Sequence, residues 1–193
     1  MQQPELNIYN IDVISESDNS RFQVTKIFGG GSFSCADKIR GQKIYMVVDK
    51  DIGGSILYVG QTIQSMQKRL YSGIRYQRYH WAKETQSYTL FVWNFSQFPI
   101  PTNSYMLDSI EAELTFAVRV HQLSWPRDQT QIKFRWFGRS KYIDQAPTIA
   151  LSMLDSLYGY LLSKQGLSED DKSYLEKQRK ITLGTLSKFS LSD

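Results

Sequence analysis

The chain has 193 residues, of which 41% are hydrophobic, 13% aromatic and 22% charged, and this composition excludes a wholly disordered protein. Its 23 Lys and Arg against 19 Asp and Glu give a net charge of +4, which permits a polyanionic partner without requiring one. A single cysteine and two histidines exclude an internal disulfide framework and a cysteine-rich or histidine-rich metal site. The N-terminal segment lacks the features of a signal peptide, and no apolar run approaches the roughly 18 residues of a membrane span. We therefore expect a cytoplasmic protein without a membrane partner.

The N-terminal half predicts a polar arm followed by strands. Residues 1–20 are polar, with serine, aspartate and asparagine clustered near their end, and they predict a loose arm. A short strand is predicted over 22–28. Two β-branched runs, 44–48 and 55–59, are separated by a turn rich in aspartate and glycine, which predicts an antiparallel hairpin.

The remaining segments predict mainly helices. Ser65 is a plausible N-cap, and the apolar residues that follow it recur every four positions, as one face of a helix requires. An aromatic run (YTLFVWNF) predicts a third strand over 88–95, and residues 131–137 (QIKFRWF) have the pattern of a fourth. Apolar stripes with helical spacing predict two further helices, at 104–121 and 147–164. Ser168 is a plausible cap of a last, highly charged helix over about 169–181.

Several side chains suited to phosphate chemistry fall close to these elements. Tyr45 and Tyr58 lie on the two hairpin strands, and Arg69 lies in the helix that follows. An arginine can offset charge that develops on phosphate, and a carboxylate can hold Mg²⁺. The helix at 104–121 contains three candidate carboxylates: Asp108, Glu111 and Glu113.

The order of these residues resembles the GIY-YIG endonucleases over about residues 41–125. The matching segments are KIY at 43–45, YVGQT at 58–62, Arg69 nine residues after Gly60, and IEAEL at 110–114. The resemblance implies an α+β fold with a small three-stranded antiparallel sheet flanked by helices. It divides the chain into an N-terminal arm (1–40), a nuclease core (41–140) and a helical C-terminal extension (141–193).

The resemblance also implies a divalent-metal-dependent endonuclease that hydrolyses DNA phosphodiester bonds with Mg²⁺ or Mn²⁺. Tyr45 and Tyr58 match the motif tyrosines, one of which would help to deprotonate the attacking water. Arg69 matches the phosphate-binding arginine, and Glu111 matches the metal-binding glutamate. Helical periodicity alone does not choose between Glu111 and Glu113, because both lie about 80° from the middle of the apolar stripe. Asp108 points away from that stripe and is expected in solvent.

Basic residues interleaved with tyrosines predict a nucleic-acid-binding surface around the first long helix. Lys43 stands where the family has a glycine, so it either contacts DNA or marks a drift away from catalysis. His80, eleven residues after Arg69, either takes the position of a family histidine or is an ordinary surface residue. The residues predicted to contact nucleic acid are Lys43, Lys68, Arg75, Arg78, His80 and Lys83.

Two departures from the family pattern support an alternative function. Gly73 replaces a histidine that often follows the arginine by four residues, and no asparagine follows Pro126, where only glutamines are near. Together with Lys43, these changes are compatible with a catalytically inactive protein that binds nucleic acid or another protein. The sequence leaves open the choice between DNA and RNA and the oligomeric state, for which a homodimer is one option.

Overall fold

The structure is a computed structural model that describes residues 4–14, 21–27, 31–50, 54–83, 85–97, 105–127, 129 and 145–189. The strands are β1 (Glu5–Ile14), β2 (Arg21–Lys26), β3 (Lys43–Asp49), β4 (Ile56–Thr62) and β5 (Gln86–Asn94). The helices are α1 (Cys35–Lys38), α2 (Met66–Arg75), α3 (Tyr105–Gln122), α4 (Ala146–Ser163) and α5 (Glu169–Phe189), and a 3₁₀ turn covers His80–Ala82. The expected strand at 131–137 and the expected boundary at 140 lie outside the described residues.

The five strands form one antiparallel sheet in the order β2-β1-β5-β3-β4. The expectation of a small three-stranded sheet is therefore wrong, although the predicted hairpin is confirmed as β3 and β4, and the third predicted strand as β5. Strands β1 and β2 extend the sheet beyond β5. They come from the segment that was expected to precede the nuclease core.

Residues 5–14 form a central strand rather than a loose arm. Strand β1 pairs with β5 from Glu5 opposite Asn94 to Val13 opposite Gln86. Its buried Tyr9, Ile11 and Val13 alternate with more polar residues, which is the pattern of a strand with one buried face. The backbone amides and carbonyls of β1 pair with β2 along one edge and with β5 along the other, and these three apolar side chains enter the core.

Hydrophobic cores cover both faces of the sheet. On one face, β3, β4 and β5 pack against α3 and α4, with Leu186 of α5 completing that core. On the other face, α2 and the segment at 79–82 pack against β1, β3 and β5. Helix α5 continues to Phe189, past its expected end near 181, because Thr182 and Leu186 are buried against the helical layer.

Strand β4 is one of the two edge strands of the sheet, and glutamine side chains bind its backbone. Gln122 of α3 accepts a hydrogen bond from the Ile56 amide and donates one to the Ile56 carbonyl at 3.2 Å. The Gln129 side chain accepts a hydrogen bond from the Val59 amide at 3.1 Å. Backbone groups of an edge strand otherwise remain open to another chain, so these contacts tie α3 and the segment after it to β4.

No helix in the described part of the chain combines the length and apolar character that a membrane crossing needs. The helices are instead part of the two layers that cover the sheet. In α3, Leu107, Ile110, Leu114 and Val118 lie along one side of the helix and enter the core that it shares with the sheet.

Replacement of Ile11 tests whether β1 belongs to the cooperative core. Ile11 is fully buried, so Ile11→Ala should lower the free energy of unfolding by about 2–5 kcal/mol in urea denaturation. Ile181→Ala is the matched control, because Ile181 is 51% exposed on α5, and it should change stability by about 0.5 kcal/mol or less. An Ile11→Ala variant as stable as this control would contradict the assignment of β1 to the sheet.

Candidate active site

Gly60 allows the two motif tyrosines to lie against each other on one face of the sheet. Tyr45 on β3 pairs with Gly60 on β4, and Tyr58 lies two residues before Gly60 on the same face. The ring centroids of Tyr45 and Tyr58 are 5.9 Å apart. A Cβ at position 60 would lie 2.5 Å from the Tyr58 ring and 2.8 Å from the Tyr45 ring and hydroxyl. The absence of a side chain at this position is therefore what makes room for both phenols.

Helix α2 brings Arg69 to these tyrosines. The Ser65 side chain accepts a hydrogen bond from the Lys68 amide and begins the helix directly after β4. Arg69 Nε donates a hydrogen bond to the Tyr45 hydroxyl at 3.0 Å. Its guanidinium carbon lies 5.9 Å from the Tyr45 ring centroid and 5.8 Å from that of Tyr79. Two aromatic rings and one hydroxyl thus hold the guanidinium in a single place.

Tyr79 is a member of the site that the sequence reasoning missed. Its hydroxyl lies 3.0 Å from the Tyr45 hydroxyl, and its ring centroid lies 5.7 Å from that of Tyr58. A Cβ on Gly73 would lie 1.8 Å from the Tyr79 ring, so the ring occupies the space beside this glycine. Gly73 was the signal in the sequence, because a glycine on the buried face of an amphipathic helix indicates that another group packs closely against the helix backbone.

The phenols of the site retain their protons at neutral pH. Burial is the largest cause that raises the pKa of Tyr45 well above its ordinary value, and it also raises the pKa values of Tyr58 and Tyr79. Burial alone would lower the pKa of Arg69, but the surrounding tyrosine oxygens raise it above its ordinary value. A charged guanidinium therefore lies among neutral phenols.

The structure separates the three candidate carboxylates of α3. Glu111 is half-buried and close enough to Tyr58 for its charge to raise the pKa of that phenol. Glu113 instead lines a cavity of about 100 Å³ between α3, α4 and α5, together with Phe116 and Leu151. Asp108 is not fully in solvent as expected, because it is half-buried and accepts a hydrogen bond from the Gln61 side chain. Of these three, Glu111 is the one whose charge acts on Tyr58.

Five of the six residues predicted to contact nucleic acid are exposed: Lys68, Arg75, Arg78, His80 and Lys83. Exposed tyrosines accompany the two arginines, with Arg75 over the Tyr71 ring at 5.2 Å and Arg78 over the Tyr76 ring at 5.6 Å. His80 is exposed, and the neighbouring Tyr79 enters the site in its place.

Lys43 is the exception and corrects the prediction. The residue is fully buried, and its ammonium donates hydrogen bonds to the carbonyls of Ile39 at 3.0 Å and Gly41 at 3.3 Å. Burial lowers the pKa of Lys43, and the nearby Asp37 opposes that shift. Its ammonium therefore holds the loop between α1 and β3 and is not available to a phosphate at the surface.

A divalent cation has one suitable side-chain ligand in this cluster. No group of three or more His, Cys, Asp or Glu that could hold a metal ion occurs among the described residues. The oxygen donors on the Tyr58 side of the cluster are the Glu111 carboxylate, which is a ligand of the kind that Mg²⁺ prefers, and the protonated Tyr58 hydroxyl, which is a weak one. This set fits an ion that keeps most of its waters and is also bound by substrate phosphate.

No protein-family model, curated protein or solved structure gives a significant match to this chain. A function has to be inferred from the side chains that the fold brings together. Those are Tyr45, Tyr58, Arg69, Tyr79 and Glu111, contributed by two strands, two helices and the segment that follows α2.

Substitution of Gly60 tests the packing of the site. Gly60→Ala should cost about 1–3 kcal/mol of stability, because the new methyl group overlaps both phenols, and it should alter the near-UV circular dichroism of the tyrosines. The matched control is Gly159→Ala on an exposed position of α4, where a Cβ meets nothing within 4 Å. That variant should gain roughly 0.5–1 kcal/mol, since alanine favours a helix interior. Equal stability of the two variants would contradict the close packing at Gly60.

The partly buried Glu113 predicts a pH-dependent stability difference. Burial raises the pKa of Glu113 above 4.5, so the charged form is disfavoured in the folded state. Glu113→Gln should match the wild type below about pH 4 and melt at a higher temperature as the pH rises through the raised pKa toward 7. Thermal melts across this range measure the difference. A melting-temperature difference that does not grow with pH would contradict the burial of this carboxylate.

Proposed function

We propose that this protein is a divalent-metal-dependent endonuclease of the GIY-YIG type that hydrolyses DNA phosphodiester bonds. The observation that carries the proposal is the position of Arg69 between Tyr45 and Tyr79, in a cluster whose Tyr58 phenol is affected by the charge of Glu111. A charged guanidinium, a phenol and a carboxylate that approach from separate elements supply the groups that phosphodiester hydrolysis needs.

Arg69 would bind the scissile phosphate and offset the charge that develops on it. Its Nε is used by Tyr45, while a guanidinium has two further nitrogens that can donate to phosphate oxygens. Tyr45 is fully buried and its pKa is raised, so it suits the positioning of Arg69 better than the activation of water. The contact with Tyr79 supports the same assignment, because it occupies the Tyr45 hydroxyl from a second side.

Tyr58 would orient the attacking water. It is the least buried of the three phenols and the one whose pKa responds to Glu111. Because its raised pKa keeps the proton on the phenol, Tyr58 would act through hydrogen bonds to the water. Glu111 would hold Mg²⁺ or Mn²⁺, and the bound ion would polarise the phosphate and stabilise the leaving oxygen.

The exposed cations around α2 support DNA as the partner. Lys68, Arg75, Arg78, His80 and Lys83 follow one another along the surface of α2 and the segment after it. Lys and Arg contacts to phosphates supply most of the sequence-independent affinity for nucleic acid. A cytoplasmic location and a homodimer remain proposals that the sequence permits.

A cleavage assay on supercoiled plasmid and branched DNA, with Mg²⁺, Mn²⁺ or EDTA, tests the proposal. Wild type should cut only with metal, and Arg69→Ala and Glu111→Gln should each lower the cleavage rate by roughly 10²–10³-fold, because each lacks a group that stabilises the transition state. Glu113→Gln is the control, since this carboxylate lines the cavity between the helices, and it should cut within about threefold of wild type.

Full cleavage by Glu111→Gln would contradict the role of Glu111.

A catalytically inactive binding protein is the second candidate, and the complete burial of the Tyr45 hydroxyl among aromatic rings favours it. That function predicts salt-dependent DNA binding by the wild type that metal does not change, with no cutting under any condition.

A further inference from the structure

Two isoleucines are exposed at one end of the hairpin that forms the candidate site. Ile39 follows α1 and is 58% exposed, and Ile63 follows β4 and is 52% exposed. Their loops are joined, because the Gly41 amide donates a hydrogen bond to the Ile63 carbonyl at 3.1 Å. Aliphatic side chains of this size are normally buried, so a pair of them on adjoining loops needs an explanation.

These loops are held firmly. The buried ammonium of Lys43 binds the carbonyls of Ile39 and Gly41, which are the residues on either side of Arg40. On the other loop, the Thr62 side chain accepts a hydrogen bond from the Gln64 amide at 3.0 Å. Both isoleucines are therefore presented by backbone that is fixed by hydrogen bonds, as an inserted side chain requires.

The surroundings of this pair are basic. Lys38 and Arg40 flank Ile39, and Lys68 lies in the first turn of α2; all three are exposed. Segments 38–43 and 61–69 contain no aspartate or glutamate. The carboxylates that adjoin these segments are buried or half-buried: Asp37 precedes Lys38, and Asp108 accepts a hydrogen bond from Gln61. Exposed apolar side chains flanked by exposed cations fit a polyanion that has an apolar interior, which describes the stacked bases of a nucleic acid.

The pair also lies beside the proposed catalytic residues. Ile63 lies just past the end of β4 and three residues after Gly60, which pairs with Tyr45; at strand spacing this is roughly 10 Å. Arg69 directly follows Lys68 in the same helix, and its side chain reaches Tyr45. A duplex whose phosphate contacts Arg69 would therefore bring a neighbouring base step to the two isoleucines.

We propose that Ile39 and Ile63 form an apolar wedge that inserts at a base step next to the bound phosphate, so that the protein prefers duplexes containing an unpaired nucleotide. The proposal rests on the DNA-binding function proposed above. Unstacking a paired step costs a few kcal/mol, whereas an unpaired nucleotide has already lost most of that stacking. The wedge thus names the substrate class: duplex DNA interrupted by a bulge.

Binding measured in EDTA, where no cutting occurs, separates this proposal from catalysis. Two duplexes are compared that differ only by one extra unpaired nucleotide. The full chain should bind the bulged duplex roughly tenfold more tightly than the paired one. A 2-aminopurine next to the bulge should brighten on binding, because insertion unstacks it. The double variant Ile39→Ser and Ile63→Ser should lose both the preference and the fluorescence change, while it binds the paired duplex within about twofold of wild type.

Ile181→Ser is the matched control, because Ile181 has nearly the same exposure, 51%, but lies on α5. It should keep the preference, and thermal melts of all variants check that they are folded. Equal binding of both duplexes by the wild type, or an unchanged preference in the double variant, would overturn the wedge and leave the nuclease proposal standing. An absence of binding to either duplex would overturn both. Vesicles of phosphatidylserine and phosphatidylcholine provide the last comparison: loss of vesicle binding in the double variant with the bulge preference intact would assign the patch to a membrane surface instead.

Discussion

The rest of the structure depends on β5, which is buried on both faces and paired along both edges. Phe91 and Trp93 enter the core formed with α3 and α4, while Leu90 and Val92 enter the core formed with α2. The strand pairs with β1 on one side and β3 on the other. Because one strand joins both cores, the layer that holds Arg69 and the layer that holds Glu111 are positioned relative to each other through the sheet.

Within that frame, the candidate site depends on two places where a side chain is missing. Gly60 lets the Tyr45 and Tyr58 rings share one face of the hairpin, and Gly73 lets the Tyr79 ring lie against α2. Aromatic rings therefore surround the Arg69 guanidinium. It donates a hydrogen bond to the Tyr45 hydroxyl, which in turn contacts the Tyr79 hydroxyl. Burial costs the arginine less when aromatic faces and a hydroxyl oxygen replace part of its hydration. In the proposed nuclease, a guanidinium held by these contacts would stabilise a developing phosphate charge without reorganisation.

Local sequence patterns predicted most of the helices and strands but not the number of strands in the sheet. The hairpin, α2 with its Ser65 cap, β5 and the long helices follow from periodicity and capping, which act over a few residues. Strand β1 was missed because its asparagines and aspartate resemble a polar loop, although Tyr9, Ile11 and Val13 alternate as a strand requires. Whether such a segment forms a strand depends on pairing with β5, about eighty residues away in the chain. Local sequence patterns do not reveal a pairing over that distance.

The sequence by itself determined which residue types were available for phosphate chemistry and the short-range elements on which Tyr45, Tyr58, Arg69 and Glu111 lie. Only the tertiary structure separates Glu111 from Glu113: both flank the same helical stripe, but the charge of Glu111 acts on Tyr58 of β4, whereas Glu113 lines the cavity beside α4. The tertiary structure also shows that Lys43, which was expected to contact DNA, is buried and donates hydrogen bonds to the carbonyls of the loop before β3. Burial and contact are sums over distant segments, so periodicity within one helix or strand does not contain them.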